Sequence, residues 1–327
     1  MKLAGALATV YVVWGSTYLA MAVADRTLPP LLMLAVRFGL AGAILWVWAW
    51  RRGELARRPG AREWRAAAVV GFALLVLDTG GVAWAVQRVP SGTAALLVAS
   101  VPLFMAVVDR VWFGVRLPLG AAAGIATGLV GVSILAVPSG KVDVLGVVVL
   151  LGASLAWAAG SAYLRVAPLP RGPFAGAAMQ MLCAGLALGV LGAATGEVGR
   201  VHVARISGAS IAAVAFLVVF GSLLAFTAYG WLVQNAPTPL LSTYAYVNPG
   251  VAVFLGWAFA GEHVGGRELA AGVVILASVA MLLLARETPA DAPPIPESLP
   301  RYIRAQEART EELRPVPRLA ELHRLAA

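Results

Sequence analysis

The chain reads as an all-α membrane protein: ten transmembrane helices in two inverted five-helix repeats, followed by a disordered tail. Three observations predict this. Sixty per cent of the 327 residues are hydrophobic and only thirteen per cent charged, with a mean hydropathy of +0.84. A water-soluble chain of this length needs far more polar surface to cover its core. Long apolar segments recur from end to end. The chain also repeats itself: Trp84, Val86, Gln87 and Pro90 return as Trp231, Val233, Gln234 and Pro237, each 147 positions on, and the same offset carries Pro102 onto Pro249. A duplicated set of membrane helices is the sequence sign of a secondary transporter, whose two pseudo-symmetric halves enclose a central site.

A bilayer core of about 30 Å needs roughly 20 apolar residues per helix. In order, the spans are expected at about Leu3–Ala24, Leu31–Trp50, Ala66–Val86, Ser91–Val108 and Leu117–Val137. The second half gives Val144–Leu164, Phe174–Thr195, Ile206–Val233, Pro239–Ala260 and Leu269–Ala285. The first is too long for a signal-peptide core and is read as a retained helix. All are expected as helices, because lipid cannot satisfy the backbone groups of isolated strands. The first repeat is placed at 1–140, the second at 141–286 and the tail at 287–327. Seven prolines between Pro289 and Pro317 punctuate the tail, and so polar a segment cannot bury enough apolar area to order itself. It is read as a cytoplasmic extension.

Orientation comes from the loops. Arg51, Arg52, Arg57, Arg58, Arg62 and Arg65 crowd the second connection, which marks it as cytoplasmic. Alternation then places both termini in the cytoplasm, in a cell inner membrane. With five spans per repeat, the second copy runs upside down relative to the first. The same clustering explains the net charge of +9 as a device that orients helices, and argues against a nucleic-acid partner. Cys183 is the single cysteine, so no intramolecular disulfide forms. No phosphate-binding loop, nucleophile–histidine–carboxylate set or metal-ligand cluster is visible. An enzyme is therefore not expected, nor a cofactor or a metal.

Several residues stand out within the spans. Trp14 and Tyr18 flank small residues in the first, and Trp157 and Tyr163 do so in the sixth. They suit either a cavity wall for partly apolar solutes or close helix packing. In the ninth, Ser242, Thr243, Tyr244, Tyr246 and Asn248 precede Pro249; Tyr244 and Asn248 share a face and are the favoured solute contacts. Pro102 and Pro249 are expected as mid-span hinges. Arg37 and Asp78 are ionisable groups well inside spans, costly unless paired or hydrated. Either they pair with each other and lock two helices, or Asp78 faces the cavity and meets a proton or a cationic solute. Gly120, Gly124 and Gly128, with Gly185 and Gly189, allow backbone-to-backbone contact, within one chain or across a homodimer.

The chain resembles the drug/metabolite transporter superfamily, specifically its ten-helix EamA-type bacterial exporters. The resemblance covers about residues 4–286. It rests on Trp14-Gly15-Ser16-Thr17-Tyr18, Arg37-Phe38, Val89-Pro90-Ser91-Gly92-Thr93-Ala94-Ala95, Val101-Pro102-Leu103-Phe104, the run from Ser242 to Pro249, and Gly261-Glu262. It implies a central cavity formed by helices one, three, four, six, eight and nine, with five and ten at the periphery. It also implies efflux of amino acids, other metabolites or amphipathic compounds. One departure is visible: the Gly-Glu that follows helix four in many members is Gly114-Val115 here. The expected partners are a small-molecule solute, the lipid bilayer and protons as a coupling ion, for a monomer or homodimer. The alternatives are an uptake permease of the same fold and, further off, a membrane-embedded enzyme or assembly subunit.

Overall fold

The computed structural model describes residues 3–114, 119–136, 143–170, 172–236, 244–261 and 265–285. Among the described residues helices predominate and no strand forms. In chain order the helices are α1 (Leu3–Ala24), α2 (Pro30–Arg51) and α3 (Ala61–Ala85), then α4 in two pieces, Ser91–Val98 and Val101–Phe113. They continue with α5 (Leu119–Ala136), α6 (Val144–Leu164), α7 (Pro173–Ala194), α8 (Gly208–Val233), α9 (Tyr244–Ala260) and α10 (Gly266–Ala285). Among the described residues, seven helical segments are long and apolar enough to cross a membrane. Shorter apolar runs, Ala122–Gly131, Val247–Phe259 and Leu269–Ser278, lie in α5, α9 and α10. All described residues belong to one compact unit, Met1–Pro289. The expected tail, together with Ser242, Thr243 and Glu262, lies outside the described residues.

Two helix pairs make the broadest contacts, α2 with α7 and α5 with α10. Small residues explain the closeness of the first. A side chain added at Gly185 would reach 2.9 Å from the Gly39 nitrogen, and one at Gly71 in α3 would reach 2.5 Å from the Gln180 carbonyl oxygen in α7. Backbones can approach this far only where no Cβ intervenes. Gly128 likewise faces Leu103 and Ser278. These members of the glycine runs serve contacts inside the chain.

The α2–α7 pair is fastened at both ends in the same way. Each helix is 22 residues long with proline in its first turn, where the missing N–H costs nothing. Glu54, three residues past the end of α2, accepts hydrogen bonds from the Phe174 and Ala175 N–H groups at the start of α7, at 3.1 and 2.9 Å. Glu197, three residues past the end of α7, accepts one from the Leu32 N–H at the start of α2, at 3.0 Å. A carboxylate at a helix N-terminus satisfies open donors and meets the positive end of the dipole. Gly172 is required for the first of these caps: its φ is +127°, and a Cβ there would sit 2.5 Å from the Glu54 carboxylate.

Proline acts differently in its two copies. The expected single span at Ser91–Val108 is two helices, broken at Ala99–Ser100, and Pro102 lies in the first turn of the second piece. Proline has no N–H to donate to the carbonyl one turn back, and its ring crowds that carbonyl, so the first piece ends at Val98 and the second begins at Val101. In α9 the helix instead runs through Pro249 without a break.

Candidate functional site

Three helices carry widened turns of π type: Val10–Trp14 in α1, Phe72–Gly80 in α3 and Leu217–Phe226 in α8. Such turns are rare and concentrate at functional places, because the extra residue redirects side chains and frees carbonyls. Shifted by the 147-residue offset, the stretch in α3 falls on the stretch in α8. All three border one cavity.

The cavity holds about 660 Å³ of empty space including its open mouth. Its lining comes from α1, α2, α3, α4, α6, α8 and α9. Of the residues singled out in the sequence, Trp14, Tyr18, Arg37, Asp78, Trp157, Tyr244 and Asn248 meet here. Tyr163 does not line it: it is half-buried against the core further along α6. Pro102 and Pro249 are likewise absent from the lining. The α2 wall, given by Arg37 and Phe38, adds a helix to the set implied by the family resemblance, whereas no described residue of α5 or α10 is among the lining.

One side of the cavity is an aromatic cluster. Trp14 meets Trp157 edge-on with ring centres 5.2 Å apart, and Tyr244 edge-on at 5.7 Å. Behind them Tyr229, fully buried, lies 4.9 Å from Trp14 and 5.1 Å from Trp157. Its hydroxyl shares a 2.8 Å hydrogen bond with Ser161. Such edge-to-face pairs add about 0.5–1.5 kcal/mol each beyond simple burial and hold the rings in place. Tyr229 went unnoticed in the sequence: the repeat places it opposite Val82, so no mirrored aromatic flagged it.

The lining also carries polar groups. Arg37 is 5 % exposed and Asp78 7 %, yet no ion pair joins them within 4.0 Å. The mutual lock that the sequence left open is not formed. The reason is geometric: the Arg37 guanidinium turns toward α8, its Nε donating to Ser222 Oγ at 2.9 Å. Its Nη2 occupies the space that the missing side chain of Gly221 leaves, 2.8 Å from where a Cβ would stand. Arg37 Nη1, Asp78 Oδ1, Trp157 Nε1, the Tyr244 hydroxyl and Asn248 Oδ1 are buried without a hydrogen bond of normal geometry. Native interiors leave few such groups, and five of them belong to residues lining this cavity.

Beyond the cavity, further polar contacts join the helix ends. Arg165 at the end of α6 pairs with Asp109 in α4 and lies over the Phe113 ring, 5.2 Å from its centre. At the end of α1, Thr27 donates to Ser210 Oγ at 2.7 Å, and Ser210 donates to the Val23 carbonyl at 3.1 Å. Asp25, just past α1, holds its proton unusually firmly. Burial pushes its carboxyl up to about 8, nearby Gln87 lowers it and the Glu197 carboxylate raises it further. Among the described residues no three His, Cys, Asp or Glu side chains gather as a metal site.

Comparison with known proteins agrees with this architecture. The chain is 39 % identical over 287 residues to a protein of Escherichia coli strain K12 named as an uncharacterized inner membrane transporter, YedA; the match spans 86 % of this chain and 91 % of that one. It is 25 % identical over 290 residues to a probable terminal-alkyne amino-acid exporter of Streptantibioticus cattleyicolor, covering 86 % and 93 %. A solved crystal structure that is 21 % identical shares the fold, with a TM-score of 0.63 over 87 % of this chain and 98 % of its own. The profile of the EamA-like transporter family matches residues 2–137 and 144–284. With both stretches matched and the membrane helices described, the chain is a multi-pass membrane protein that belongs to the EamA-like transporter family.

Proposed function

We propose that this transporter is a secondary-active exporter of small metabolites or amphipathic compounds across the inner membrane, working by alternating access. The observation that carries the reading is the cavity itself: an aromatic cluster, buried polar groups, and walls drawn from both halves of the chain. Two inverted five-helix repeats crossing the membrane ten times, with both termini cytoplasmic, are the frame for it. Support comes from the two stretches matched by the family, the paired π turns of α3 and α8, and the mirrored caps of α2 and α7.

In this scheme Trp14, Tyr18 and Trp157 hold the apolar body of the solute, and Tyr244 and Asn248 make polar contacts. Asp78 receives a proton or a cationic group. The break before Pro102 and the missing hydrogen bond at Pro249 are the flexible points of α4 and α9. The test is a flux screen in proteoliposomes over amino acids, cationic dyes and sugars at two pH values. The Trp157→Ala, Tyr244→Ala double variant should lower flux of the transported solute at least about tenfold while remaining folded, the cost of losing two cavity walls. Unchanged flux refutes the reading. Comparing solute accumulation in cells with and without the protein sets the direction.

A further inference from the structure

The connection from α2 to α3 carries six arginines, Arg51, Arg52, Arg57, Arg58, Arg62 and Arg65, against two glutamates. Both acids are already engaged. Glu54 caps α7, and Glu63 pairs with Arg57 while accepting the Gly60 N–H. Among the described residues the other five arginines form no ion pair. Arg52 is nevertheless held in place. Its guanidinium carbon lies 5.6 Å from the centre of the Trp48 ring in α2 and 5.9 Å from that of Phe174 in α7. We propose that this end of the α2–α7 pair binds an anionic phospholipid, its phosphate on Arg52 and an acyl chain along the exposed row Trp48, Ile44, Leu40 and Val36.

The row is set by helical spacing. Val36, Leu40, Ile44 and Trp48 follow one another four residues apart and are all exposed, whereas Leu34, Phe38, Ala41 and Leu45 are buried. Arg52, also exposed, is the next step of the same row. From Val36 to Trp48 the row runs about 18 Å at 1.5 Å per residue, enough to cross one leaflet, half of a bilayer core of about 30 Å. A lipid chain lying there delivers its phosphate to the level of Arg52. Tryptophan is a residue of that boundary, with its apolar body in the chains and its N–H among headgroups. The rings of Trp48 and Phe174 steady the guanidinium by cation–π attraction. Its N–H groups donate to no described residue, and their planar fork suits a phosphate. Net charge decides between lipids. A zwitterionic headgroup brings its own cation among arginines that have no acid left to meet, and an anionic one brings the missing counter-charge. Helix orientation accounts for the number of arginines in this connection, but it does not require one of them to be held between rings of two helices.

The test titrates the purified full-length protein in detergent micelles with dioleoyl-phosphatidylglycerol or dioleoyl-phosphatidylcholine, and native mass spectrometry counts the bound lipid. The two lipids share chains and phosphate and differ in net charge. Phosphatidylglycerol should bind saturably and at least about tenfold more tightly than phosphatidylcholine. Arg52→Gln should weaken it about fivefold, the share of one arginine at an anionic surface. Trp48→Leu keeps an apolar side chain in the row but removes a ring beside the guanidinium, and should weaken it about threefold. Arg205→Gln, an exposed arginine in the connection beyond the other end of α7, should change it less than about twofold. Millimolar glycerol phosphate, a headgroup without chains, should not displace the lipid. Equal affinity for the two lipids overturns the inference, as does phosphatidylglycerol binding indifferent to Arg52→Gln. Displacement by glycerol phosphate also overturns it, since the site would then be one for a soluble phosphate. If Arg52→Gln fails to fold, Trp48→Leu takes its place in the comparison.

Discussion

The same substitution at two glycines should have opposite consequences. At Gly221 an added Cβ would lie 2.8 Å from Arg37 Nη2, 3.3 Å from Thr17 Cγ2 and 3.5 Å from Arg37 Cζ. The closest of these is the far end of a flexible side chain, able to swing away. At Gly71 the neighbours are the Gln180 carbonyl oxygen at 2.5 Å, its carbon at 3.1 Å and Cα at 3.2 Å, all backbone of a packed helix. Alanine in a helix interior gains up to about 1 kcal/mol over glycine. For Gly221→Ala that gain offsets part of the strain on the displaced guanidinium, so the melting temperature should fall by less than in Gly71→Ala. For Gly71→Ala the α3 and α7 backbones must part, and overpacking of this kind costs about 1–3 kcal/mol, a fall of several degrees. Function should show the reverse. Swinging Arg37 away strains its charged bond to Ser222, a contact of the class worth about 1.5–3 kcal/mol, and should raise the half-saturating solute concentration about tenfold. The assay is differential scanning fluorimetry alongside counterflow in proteoliposomes. A Gly221→Ala protein with native half-saturation and native stability would refute the placing of Arg37 at the solute, and a fully stable Gly71→Ala protein would refute the α3–α7 contact.

Two further outcomes follow from the helix ends. In the folded protein Asp25 keeps its proton up to about pH 8, against 3.8 ordinarily. Between those values the native state binds more protons than the unfolded chain, so stability falls as pH rises and levels off above pH 8. Asp25→Asn should flatten this slope in thermal melts, matching the wild type near pH 4 and exceeding it at pH 8; equal slopes would contradict the burial of Asp25. Glu54→Ala and Glu197→Ala should each cost about 1–2 kcal/mol. Because the caps lie at opposite ends of the helix pair, the double variant should lose the sum, as read by thermal melts; a loss well short of the sum would show that the two caps are not independent.

Much of the architecture was legible because a bilayer demands length and apolarity, which a sequence displays openly. The spans at Val144–Leu164 and Leu3–Ala24 match their helices. The start of α3 was missed by five residues, since Arg62 and Arg65 look like loop but belong to a first turn capped by Glu63, whose Oε2 accepts the Gly60 N–H at 2.7 Å. Facing was harder to read. A helix between lipid and a protein core is apolar on both sides, so periodicity carries little information about which side faces inward. Tyr229 and Ser222 were lost for that reason, and Tyr163 was assigned to a wall it does not form. Arg37 and Asp78 were visible as costly charges. That they meet a shared hollow and not each other depends on Ser222 and Gly221, residues with no mark in the sequence.

The twin caps of α2 and α7 have a mechanical consequence. Each acid is stationed just past the end of one helix and grips the beginning of the other, so sliding the two rods past each other by a single residue, about 1.5 Å, would strain both grips together. Shear along that seam is thereby blocked, and a backbone-tight waist at Gly185 and Gly39 resists prying it open. Any large motion of the bundle must leave this pair as its axle and find its freedom among the helices around it.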